Sequence, residues 1–424
     1  MSTYFPEKMN HPGISMPNKV RVLTLIAGLA IGDPLGGAER FGAELAAHLD
    51  QEIFTPIVCA FWRRNKESEK YWSEYLIQRG VEVFFAADWP GRFSVIKFIG
   101  ALKNITLHFR HAPVAIIHSH FQVGSLAALI LKRKLRVKAL LRTAHLSPDR
   151  EWGNGSIAAI CRLVFTKFIF PLGFDLEVGV SQASVFALNR RLFARLLNRR
   201  ALWIPNAISL SRFKSVRHQY IRQELGIAPD ELVVGSVGRL TEQKGYIYLV
   251  EAASKVISIL PKAKFLIIGE GPLRGCLQEY AEALGVSNSF ILVGPREDLA
   301  PLYRAMDLFV LPSLWEGLPT VILESMACGV PVIATDIPGT RELVRQGHTG
   351  WLVEPKNSEA LAEAIIYALR HPEARDTIAQ TAAESVIPSY SMEPIANQYQ
   401  AIYLHLLNKW SAGNDLTSAK ALGR

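Results

Sequence analysis

The chain has 424 residues, of which 49% are hydrophobic and 20% charged, an ordinary composition for a globular protein at a length that favours two domains. Its four cysteines lie far apart and form no C-x-x-C pair, which argues against a disulfide framework or a cysteine zinc site and fits a reducing cytosol. The formal net charge of +9 is unevenly shared, since residues 1–210 carry 27 Lys+Arg and 15 Asp+Glu while residues 211–424 carry 20 and 23. A basic first half attracts nucleic acid, anionic membrane or acidic substrates, and charge alone does not choose among them.

The chain begins with a polar, proline-containing stretch that predicts a disordered extension over residues 1–18. The first apolar run, Val22 to Ile31, is broken by Gly28 and is too short to span a bilayer. We therefore expect no signal peptide, no transmembrane helix and a cytoplasmic location.

From Val20 onward, short β-branched runs alternate with helix-length amphipathic segments, which is typical of parallel, doubly wound sheets. The strands predicted in the first half are Val20–Ala27, Pro56–Ala60, Val81–Phe85, Val114–His118, Val137–Thr143, Leu176–Val180 and Leu202–Ile204. The helices predicted between them include Ala38–Leu49, Val123–Arg133 and Ser181–Leu197. The strands predicted in the second half are Leu232–Val237, Lys264–Ile268, Phe290–Val293, Leu308–Leu311, Val332–Ala334 and Trp351–Val353.

A turn-rich stretch near Pro205–Arg217 separates the two runs of strands and predicts a linker. We therefore predict an α/β fold of two doubly wound, Rossmann-like domains, residues 19–205 and residues 206–388, that face an interdomain cleft. Ligands of open parallel sheets bind beyond the carboxyl ends of the strands, so the loops directly after the strands are the informative ones.

The sharpest cluster follows the strand that ends at Leu311 and places two carboxylates, Glu316 and Glu324, eight positions apart. Gly317 would let a ligand approach the backbone, and Pro319 suits the first turn of a helix. Free N–H groups at a helix start attract phosphate, and carboxylates accept hydrogen bonds from sugar hydroxyls. The alternative is that both acids are solvated surface groups.

A second cluster joins the strand ending at Val237 to the next predicted helix and carries Arg239 and Lys244. Cations near a helix start oppose the helix dipole, so their placement is sensible if they neutralise a diphosphate. An ordinary charged surface loop is the alternative.

The first half offers a glycine-containing helix start, Gly36–Arg40, and three histidines at strand ends. The helix start predicts a phosphate or acceptor contact. His118 and His120 end one strand and His145 follows the next, yet no further Cys, Asp or Glu ligand stands at short spacing. Hydrogen bonding to a substrate is therefore favoured over metal ligation for His120 and His145, and His118 is predicted to be structural.

Several expected motifs are absent. The segment Gly269–Gly275 has its third glycine one place late for a dinucleotide fingerprint, and no G-x-x-x-x-G-K-[ST] loop occurs. No Asp-x-Asp occurs either, which removes the simplest carboxylate pair for a metal-bridged diphosphate.

Together these loops resemble family 4 of the retaining glycosyltransferases, which have the GT-B fold and an E-x7-E motif. The resemblance is dense from Val237 to Glu354 and looser in the first half. Besides Glu316 to Glu324, the segments that match family signatures are Gly238-Arg239, Lys244-Gly245, Gly269–Pro272, Pro312-Ser313, Ala327–Val332, Gly350–Val353, Gly36–Arg40, His118–His120, Val180-Ser181 and Pro205-Asn206.

The resemblance implies an acceptor site in the first domain and a donor site in the second. The implied donor contacts are Arg239 and Lys244 for the diphosphate, Gly37 near it, Glu324 for the ribose, Gly294 and Arg296 around the nucleobase, and Glu316, Gly317 and Leu318 for the sugar. His120 is implied beside the anomeric carbon. The predicted catalytic residues are thus His120, Glu316, Arg239 and Lys244, and the predicted acceptor contacts are Glu39 and His145.

The resemblance further implies retaining transfer of a hexosyl group from a UDP- or GDP-sugar to a glycan or lipid-linked acceptor in polysaccharide or glycoconjugate biosynthesis. In this family the acceptor is thought to attack the anomeric carbon from the same face that the diphosphate leaves, so no protein nucleophile is needed. Because positioned cations can stabilise the charge that grows on the diphosphate, we expect neither a metal nor a cofactor. Residues 389–412 resemble the family's terminal helix that crosses back to the first domain, and a flexible tail is predicted for residues 413–424.

Residues 157–170 and 190–200 mix arginine or lysine with apolar side chains, as interfacial helices do. This pattern supports the hypothesis that the first domain binds the anionic inner face of a membrane. The equal alternative is two ordinary helices with solvated arginines. Two other functions remain open: a GT-B sugar-nucleotide epimerase or phosphorylase, and a nonenzymatic binder of nucleotide sugars or nucleic acid. An epimerase would act without acceptor, a phosphorylase would need phosphate, and a binder would not turn over. We do not expect nucleic acid as a partner.

Overall fold

The computed structural model describes residues 19–32, 36–146, 160, 162–213 and 221–421, and the predicted extension over residues 1–18 lies outside them. Its strands form two parallel sheets. The first contains β1 (Val20–Ile26), β2 (Phe54–Arg63), β3 (Glu82–Asp88), β4 (Ile116–Ser119), β5 (Ala139–Ala144), β6 (Leu176–Gly179) and β7 (Leu202–Trp203). The second contains β8 (Leu232–Val237), β9 (Ala263–Ile268), β10 (Phe290–Gly294), β11 (Leu308–Leu311), β12 (Val332–Thr335) and β13 (Trp351–Val353).

The strand order is β3-β2-β1-β4-β5-β6-β7 in the first sheet and β10-β9-β8-β11-β12-β13 in the second. In both sheets the direction in which successive strands are added to the sheet reverses beside the first strand. This switch lies between β1 and β4 in the first sheet and between β8 and β11 in the second. Open α/β sheets bind ligands at such switch points, outside the carboxyl ends of the strands. The predicted α/β fold of two doubly wound domains is confirmed.

Helices cover both sheets, which is why strands such as β2 are apolar and buried almost throughout. The first domain contains α1 (Gly37–Ala47), α2 (Glu67–Ile77), α3 (Val95–His108), α4 (Gln122–Lys134), a π-helical segment (Arg162–Ile169), α5 (Phe170–Gly173), α6 (Gln182–Asn189) and α7 (Leu192–Leu196). The second contains α8 (Ile221–Glu224), α9 (Tyr246–Ile259), α10 (Arg274–Ala283), α11 (Ala300–Arg304), α12 (Thr320–Ala327), α13 (Pro338–Arg341), α14 (Ser358–Arg370) and α15 (Pro372–Ser385). The last helix is α16 (Met392–Ala421).

The single helix predicted over Ser181–Leu197 is wrong, because the chain breaks it into α6 and α7 at Arg191. That residue has an extended backbone, and its side chain is buried where it donates to the carbonyls of Leu188 and Thr166 and pairs with Glu177. These bonds hold the corner between the two helices. Arg191 therefore belongs to the interior and not to a solvated or lipid-facing surface.

Helix α16 crosses back to the first domain. Its buried side chains Met392, Ile395, Tyr399 and Tyr403 share a core with residues of β1, α1 and β2. The helix continues to Ala421, beyond the predicted end at residue 412, because a single glycine at position 413 weakens a helix by only about 1 kcal/mol and no proline follows. Within the described ranges, no helix has the length and apolar character needed to cross a membrane.

The two segments that connect the domains run side by side. Ile208, shortly after β7, forms a parallel bridge with Ser391, and its backbone is hydrogen-bonded on both sides, to Tyr390 at 3.0 Å and to Met392 at 3.0 Å. This paired crossing joins the two domains, and the carboxyl ends of the two sheets face one another across a cleft.

Candidate active site

One cavity of about 730 Å³ lies between the carboxyl ends of the two sheets and is lined by both domains. Ten predicted site residues line it: Gly37, Glu39, His120, His145, Arg239, Lys244, Arg296, Glu316, Gly317 and Leu318. Gly294 and Glu324 are not among its lining residues. The structure therefore collects most of the predicted site, although these residues stand on loops up to some 280 positions apart in the sequence.

Glu316 is held at the cavity wall by donors from two neighbouring loops. Lys244 Nζ donates to its Oε1 at 2.6 Å, Ser313 Oγ donates to the same oxygen at 2.7 Å, and Gln243 Nε2 reaches Oε2 at 3.4 Å. The carboxylate is only 8% exposed, so this arrangement excludes the reading that it is a solvated surface group. A fixed carboxylate of this kind is suited to accept hydrogen bonds from hydroxyl groups.

The backbone before α9 explains how Lys244 reaches that position. Gly245 caps α9 with φ +62°, a left-handed conformation, and a Cβ there would stand 2.1 Å from the carbonyl oxygen of Pro312. Glycine thus lets the loop of Lys244 pack directly against the loop that precedes Glu316.

Arg239 is exposed at the cavity wall and has no ion-pair partner within 4 Å among the described residues. Burial raises the pKa of the Glu39 carboxyl across the cleft, and backbone hydrogen bonds and the charge of Arg239 offset only part of that rise. Glu39 also caps α1, since its Oε2 accepts from the backbone N–H of Gly36 at 3.1 Å. The predicted acceptor contact is therefore also a structural cap.

Gly317 has a structural reason that the sequence did not reveal. A Cβ at this position would lie 1.8 Å from the backbone oxygen of His145, in the other domain. The close approach that demands glycine is thus made by the protein's own backbone, and the loop Gly317–Leu318 is an interdomain contact as well as part of the cavity wall. Asn206, which follows shortly after the last strand of the first sheet and packs with the first domain, adds to this contact by donating from Nδ2 to the carbonyl of Leu318 at 2.9 Å.

Glu324 is fully buried and lies behind the cavity wall. Arg40 Nη1 donates to its Oε1 at 2.7 Å across the domain interface, and Tyr303 Oη donates to its Oε2 at 3.0 Å. The surface-group alternative is wrong for this residue too. Because Arg40 and Tyr303 satisfy the carboxylate in this conformation, the implied ribose contact would need Arg40 to move or to share Glu324 with the ligand.

The loop after β10 reaches the cavity through Pro295 and Arg296. Gly294 itself is buried, has φ +86° and accepts a hydrogen bond from the N–H of Gly269 at 2.9 Å. The structure thus gives Gly294 a turn role between two strand ends and brings Arg296, not Gly294, to the ligand side.

The three strand-end histidines form a buried cluster. His118 is hydrogen-bonded through Nδ1 to Tyr403 Oη and through Nε2 to Thr143 Oγ1, both at 2.8 Å. It is therefore an interior structural residue, as predicted from the sequence. His120 Nδ1 and His145 Nε2 lie 3.1 Å apart. Burial lowers the pKa of His118 and His120 well below its usual value and that of His145 to about 3, so all three rings are neutral at physiological pH.

This cluster predicts acid-sensitive stability. Below a pH of about 6.5 these histidines bind protons in the unfolded chain but not in the folded chain. The free energy of unfolding therefore falls as the pH drops, by about 1.4 kcal/mol per pH unit for each such group. We expect the melting temperature to fall between pH 7 and pH 5. The fall should be shallower in His145→Asn than in the wild type, whereas His371→Asn, at an exposed position, should keep the wild-type slope. Equal slopes in all three proteins would contradict the assignment.

Several residues at the site were not assigned a role from the sequence: Arg40, Asn206, Gln243, Tyr303 and Ser313. Arg40 and Asn206 belong to segments that resemble the family, yet their partners lie 284 and 112 positions away in the chain. No pattern in the neighbouring sequence indicates such contacts. Among the residues that the structure describes, no group of three or more His, Cys, Asp or Glu side chains is placed to hold a metal ion.

Comparison with known proteins agrees with this geometry. Residues 218–385 match the family model described as glycosyl transferases group 1. The chain is 26% identical over 354 residues to the UDP-Gal:alpha-D-GlcNAc-diphosphoundecaprenol alpha-1,3-galactosyltransferase of Escherichia coli, covering 80% of this chain and 87% of that enzyme. Its fold resembles sucrose-phosphate synthase from Thermosynechococcus elongatus (TM-score 0.76, 22% identity, 92% and 100% of the chains) and Anabaena HepE in complex with UDP and glucose (TM-score 0.74, 23% identity, 90% and 99%).

Two facing Rossmann-like domains with a charged cleft at their strand ends define a GT-B protein. The matched family model and the related enzyme narrow the class further, because both are glycosyltransferases. The chain has the GT-B fold, and its residues 218–385 match the glycosyl transferases group 1 family.

Proposed function

We propose that the protein transfers a hexosyl group from a nucleoside-diphosphate sugar to a glycan or lipid-linked acceptor, with retention of the anomeric configuration. The observation that carries the proposal is the joint presence of Arg239, Lys244, Glu316 and His120 on one cavity, with His120 from one domain and the other three from its partner domain. Cations suit a diphosphate, a fixed carboxylate suits sugar hydroxyls, and the seam between the domains suits a reaction between two substrates.

The diphosphate would lie against Arg239 and Lys244, near the start of α12. That helix begins at Thr320, which lines the cavity, and its free N–H groups favour an anion. Lys244 has three N–H donors, so it can keep its bond to Glu316 and still donate to a phosphate oxygen. Glu316 and the backbone of Gly317–Leu318 would then grip the sugar.

In the transfer step, the bond between the anomeric carbon and the diphosphate oxygen breaks and a bond from the acceptor oxygen forms on the same face. The acceptor proton passes to the departing phosphate oxygen, so charge and atoms balance without a protein nucleophile. Negative charge grows on the diphosphate as it leaves, and Arg239 and Lys244 stabilise that charge because they are already in place. His120 would lie beside the reacting carbon.

The relatives support the choice of substrates. The Escherichia coli relative is named for UDP-Gal and for an acceptor on diphosphoundecaprenol, and the Anabaena protein was solved with UDP and glucose. We therefore favour a UDP-sugar over a GDP-sugar as the donor and a diphosphate-linked lipid glycan as the acceptor, in polysaccharide or glycoconjugate biosynthesis.

Calorimetric titration with a panel of UDP-, GDP- and ADP-sugars, followed by NMR of the reaction products, tests the function. We expect one donor to bind and to be consumed only when an acceptor is added, with an axial-to-axial or equatorial-to-equatorial outcome at the anomeric carbon. Conversion of the donor without acceptor would indicate an epimerase, a need for phosphate would indicate a phosphorylase, and binding without turnover would indicate a binding protein. Each of these three results would contradict the transferase.

Turnover is expected to be independent of divalent metal, because fixed cations can neutralise the diphosphate. Dialysis against EDTA should change kcat/KM less than twofold, and added Mg²⁺ or Mn²⁺ should not raise it. A loss of activity in EDTA that Mn²⁺ restores would contradict this prediction.

We further propose that the protein works in the cytoplasm at the inner face of the membrane, with the first domain docked on anionic lipid. The support is a set of exposed apolar side chains on the segment from the π-helix to α7, which includes Leu163, Leu172, Leu192 and Leu196. Residues 157–159 and 161 of the predicted interfacial segments lie outside the described residues.

A groove of about 420 Å³ adjoins these side chains, and its lining includes Lys138, Arg199, Arg200, Lys409 and Trp410 together with the acidic Asp175 and Glu177. Basic groups beside exposed leucines and a tryptophan are typical of surfaces that bind anionic lipid.

Flotation with phosphatidylglycerol vesicles tests the docking. We expect binding at low salt, weaker binding at high salt, and a loss of binding in Leu192→Ser/Leu196→Ser. Ile247→Ser, which removes an exposed apolar residue of the second domain, should float as the wild type does. The absence of a bound fraction at low salt would remove the membrane from the account.

A further inference from the structure

Three buried polar atoms without hydrogen-bond partners meet at the cavity. Among the described residues, His120 Nε2, His145 Nδ1 and Asn206 Oδ1 all lack a partner, and all three residues line the cavity. An unsatisfied buried polar atom costs about 1–3 kcal/mol. Their collection at one place indicates that a ligand, or a small tightening of the cleft, completes their hydrogen bonds.

The two rings are held in a fixed relation. His120 Nδ1 and His145 Nε2 are 3.1 Å apart, and Phe41 packs against both rings at centroid distances of 5.9 and 5.6 Å. Since burial keeps both imidazoles neutral, each ring carries one proton, and only one of the two facing nitrogens donates. The proton that sits between them decides whether His120 Nε2 offers a lone pair or an N–H group to the cavity.

Asn206 decides between the two tautomers. Its Nδ2 donates to the carbonyl of Leu318 at 2.9 Å, which leaves its Oδ1 for the His145 side. Asn206 Oδ1 and His145 Nδ1 both lack a partner at this cavity, so a small tightening of the cleft would join them, and a hydrogen bond from His145 to Asn206 would partly offset the effect of burial on the pKa of that ring. An amide oxygen can only accept, so it selects the form of His145 that carries its proton on Nδ1.

We propose that Asn206 and His145 are positioning residues that fix His120 as the Nδ1–H tautomer, so that its Nε2 accepts a hydrogen bond from a hydroxyl of the bound sugar. With the proton of His145 on Nδ1, its Nε2 has a lone pair and takes the Nδ1–H of His120. His120 Nε2 is then a pure acceptor. The inference rests on the proposed function only for the identity of the hydroxyl-bearing ligand.

The proposed hydrogen-bond chain from Asn206 through His145 to His120 is called the relay below. The same contacts link this relay to closure of the cleft. Leu318, which orients Asn206, and Gly317, which packs on the backbone oxygen of His145, are adjacent residues of the second domain. The relay is therefore complete only when the second domain stands against the first. His120 would be set for the sugar at the moment when the loop that grips the sugar is in place.

The tautomer can be read directly by two-bond ¹H–¹⁵N NMR of the ligand-free protein labelled with ¹⁵N-histidine. We expect His120 as Nδ1–H and His145 as Nδ1–H at pH 7. His120 found as Nε2–H, or as a charged imidazolium, would overturn the proposal. This readout does not require turnover, so it stands apart from the failure or success of the transferase assay.

Asn206→Ala tests the positioning role. We expect His120 to shift toward Nε2–H, and kcat to fall about tenfold, the loss of one hydrogen bond, while the KM for the donor changes less than twofold. Asn104→Ala is the matched control, because Asn104 also donates from Nδ2 to a carbonyl, that of Ala86 at 2.9 Å, away from the cleft. Wild-type tautomers in a folded Asn206→Ala protein would contradict the relay, and if that variant does not fold, the wild-type spectrum still decides.

Discussion

Replacing Arg239 by Met is expected to lower kcat/KM for glycosyl transfer by about 30- to 900-fold, equivalent to about 2–4 kcal/mol of transition-state stabilisation. The reason is that the leaving diphosphate would lose a positioned cation when its charge is largest. Stability should hardly change, because Arg239 is exposed and has no ion-pair partner among the described residues. Steady-state kinetics with saturating acceptor, together with a melting curve, measures both effects.

The matched control is Arg274→Met. Arg274 also follows a strand of the second sheet, pairs with Glu270 at 3.3 Å and does not line the cavity, so its loss should leave kcat/KM near the wild-type value. Lys244→Met should lose activity to a similar degree, but it also removes the cation that holds the nearly buried Glu316 and should therefore destabilise the protein. Unchanged kcat/KM in both Arg239→Met and Lys244→Met would refute the diphosphate role.

Gly317→Ala is expected to lower activity by more than about 100-fold, since a misplacement of roughly 1 Å at a reacting centre can cost this much. The new Cβ would stand 1.8 Å from the backbone oxygen of His145 and 2.9 Å from its carbonyl carbon, and neither atom belongs to a flexible side chain that could turn away. The loop or the whole second domain must therefore retreat, which separates the cations of one domain from the histidines of the other.

Gly275→Ala is the control for this substitution. Gly275 lies in α10, a Cβ there meets nothing within 4 Å, and alanine is the better helix former, so activity should be kept and stability should rise slightly. Small-angle X-ray scattering should show a more open molecule for Gly317→Ala alone. Wild-type activity and dimensions in Gly317→Ala would show that the domains do not meet at this loop.

The strands could be predicted from the sequence because a doubly wound sheet is covered on both faces. Each buried strand therefore reads as a nearly continuous apolar run, as β2 and β11 do, and every predicted strand overlaps an observed one. The loops after these strands could then be read for chemistry, and most of the residues chosen in this way line one cavity. The local sequence pattern was sufficient here, because the topology of a parallel sheet by itself brings the carboxyl ends of its strands together.

Contacts between distant segments could not be predicted in the same way. The pairing of Arg40 with Glu324 joins residues 284 positions apart, and it turns an expected ligand contact into an interdomain ion pair. The break at Arg191 depends on Glu177 and on the carbonyl of Thr166, and the demand for glycine at position 317 depends on the backbone of His145. In each case the reason for the residue lay in a partner that the sequence does not place.

The central claim is that the two domains grip one activated sugar at their seam. A crystal structure of the complex with the nucleotide sugar that binds best tests it most directly. The account predicts the diphosphate within hydrogen-bond distance of Arg239 and Lys244, with the sugar against Glu316 and His120. A diphosphate bound away from both cations, or a sugar that touches only one domain, would contradict it.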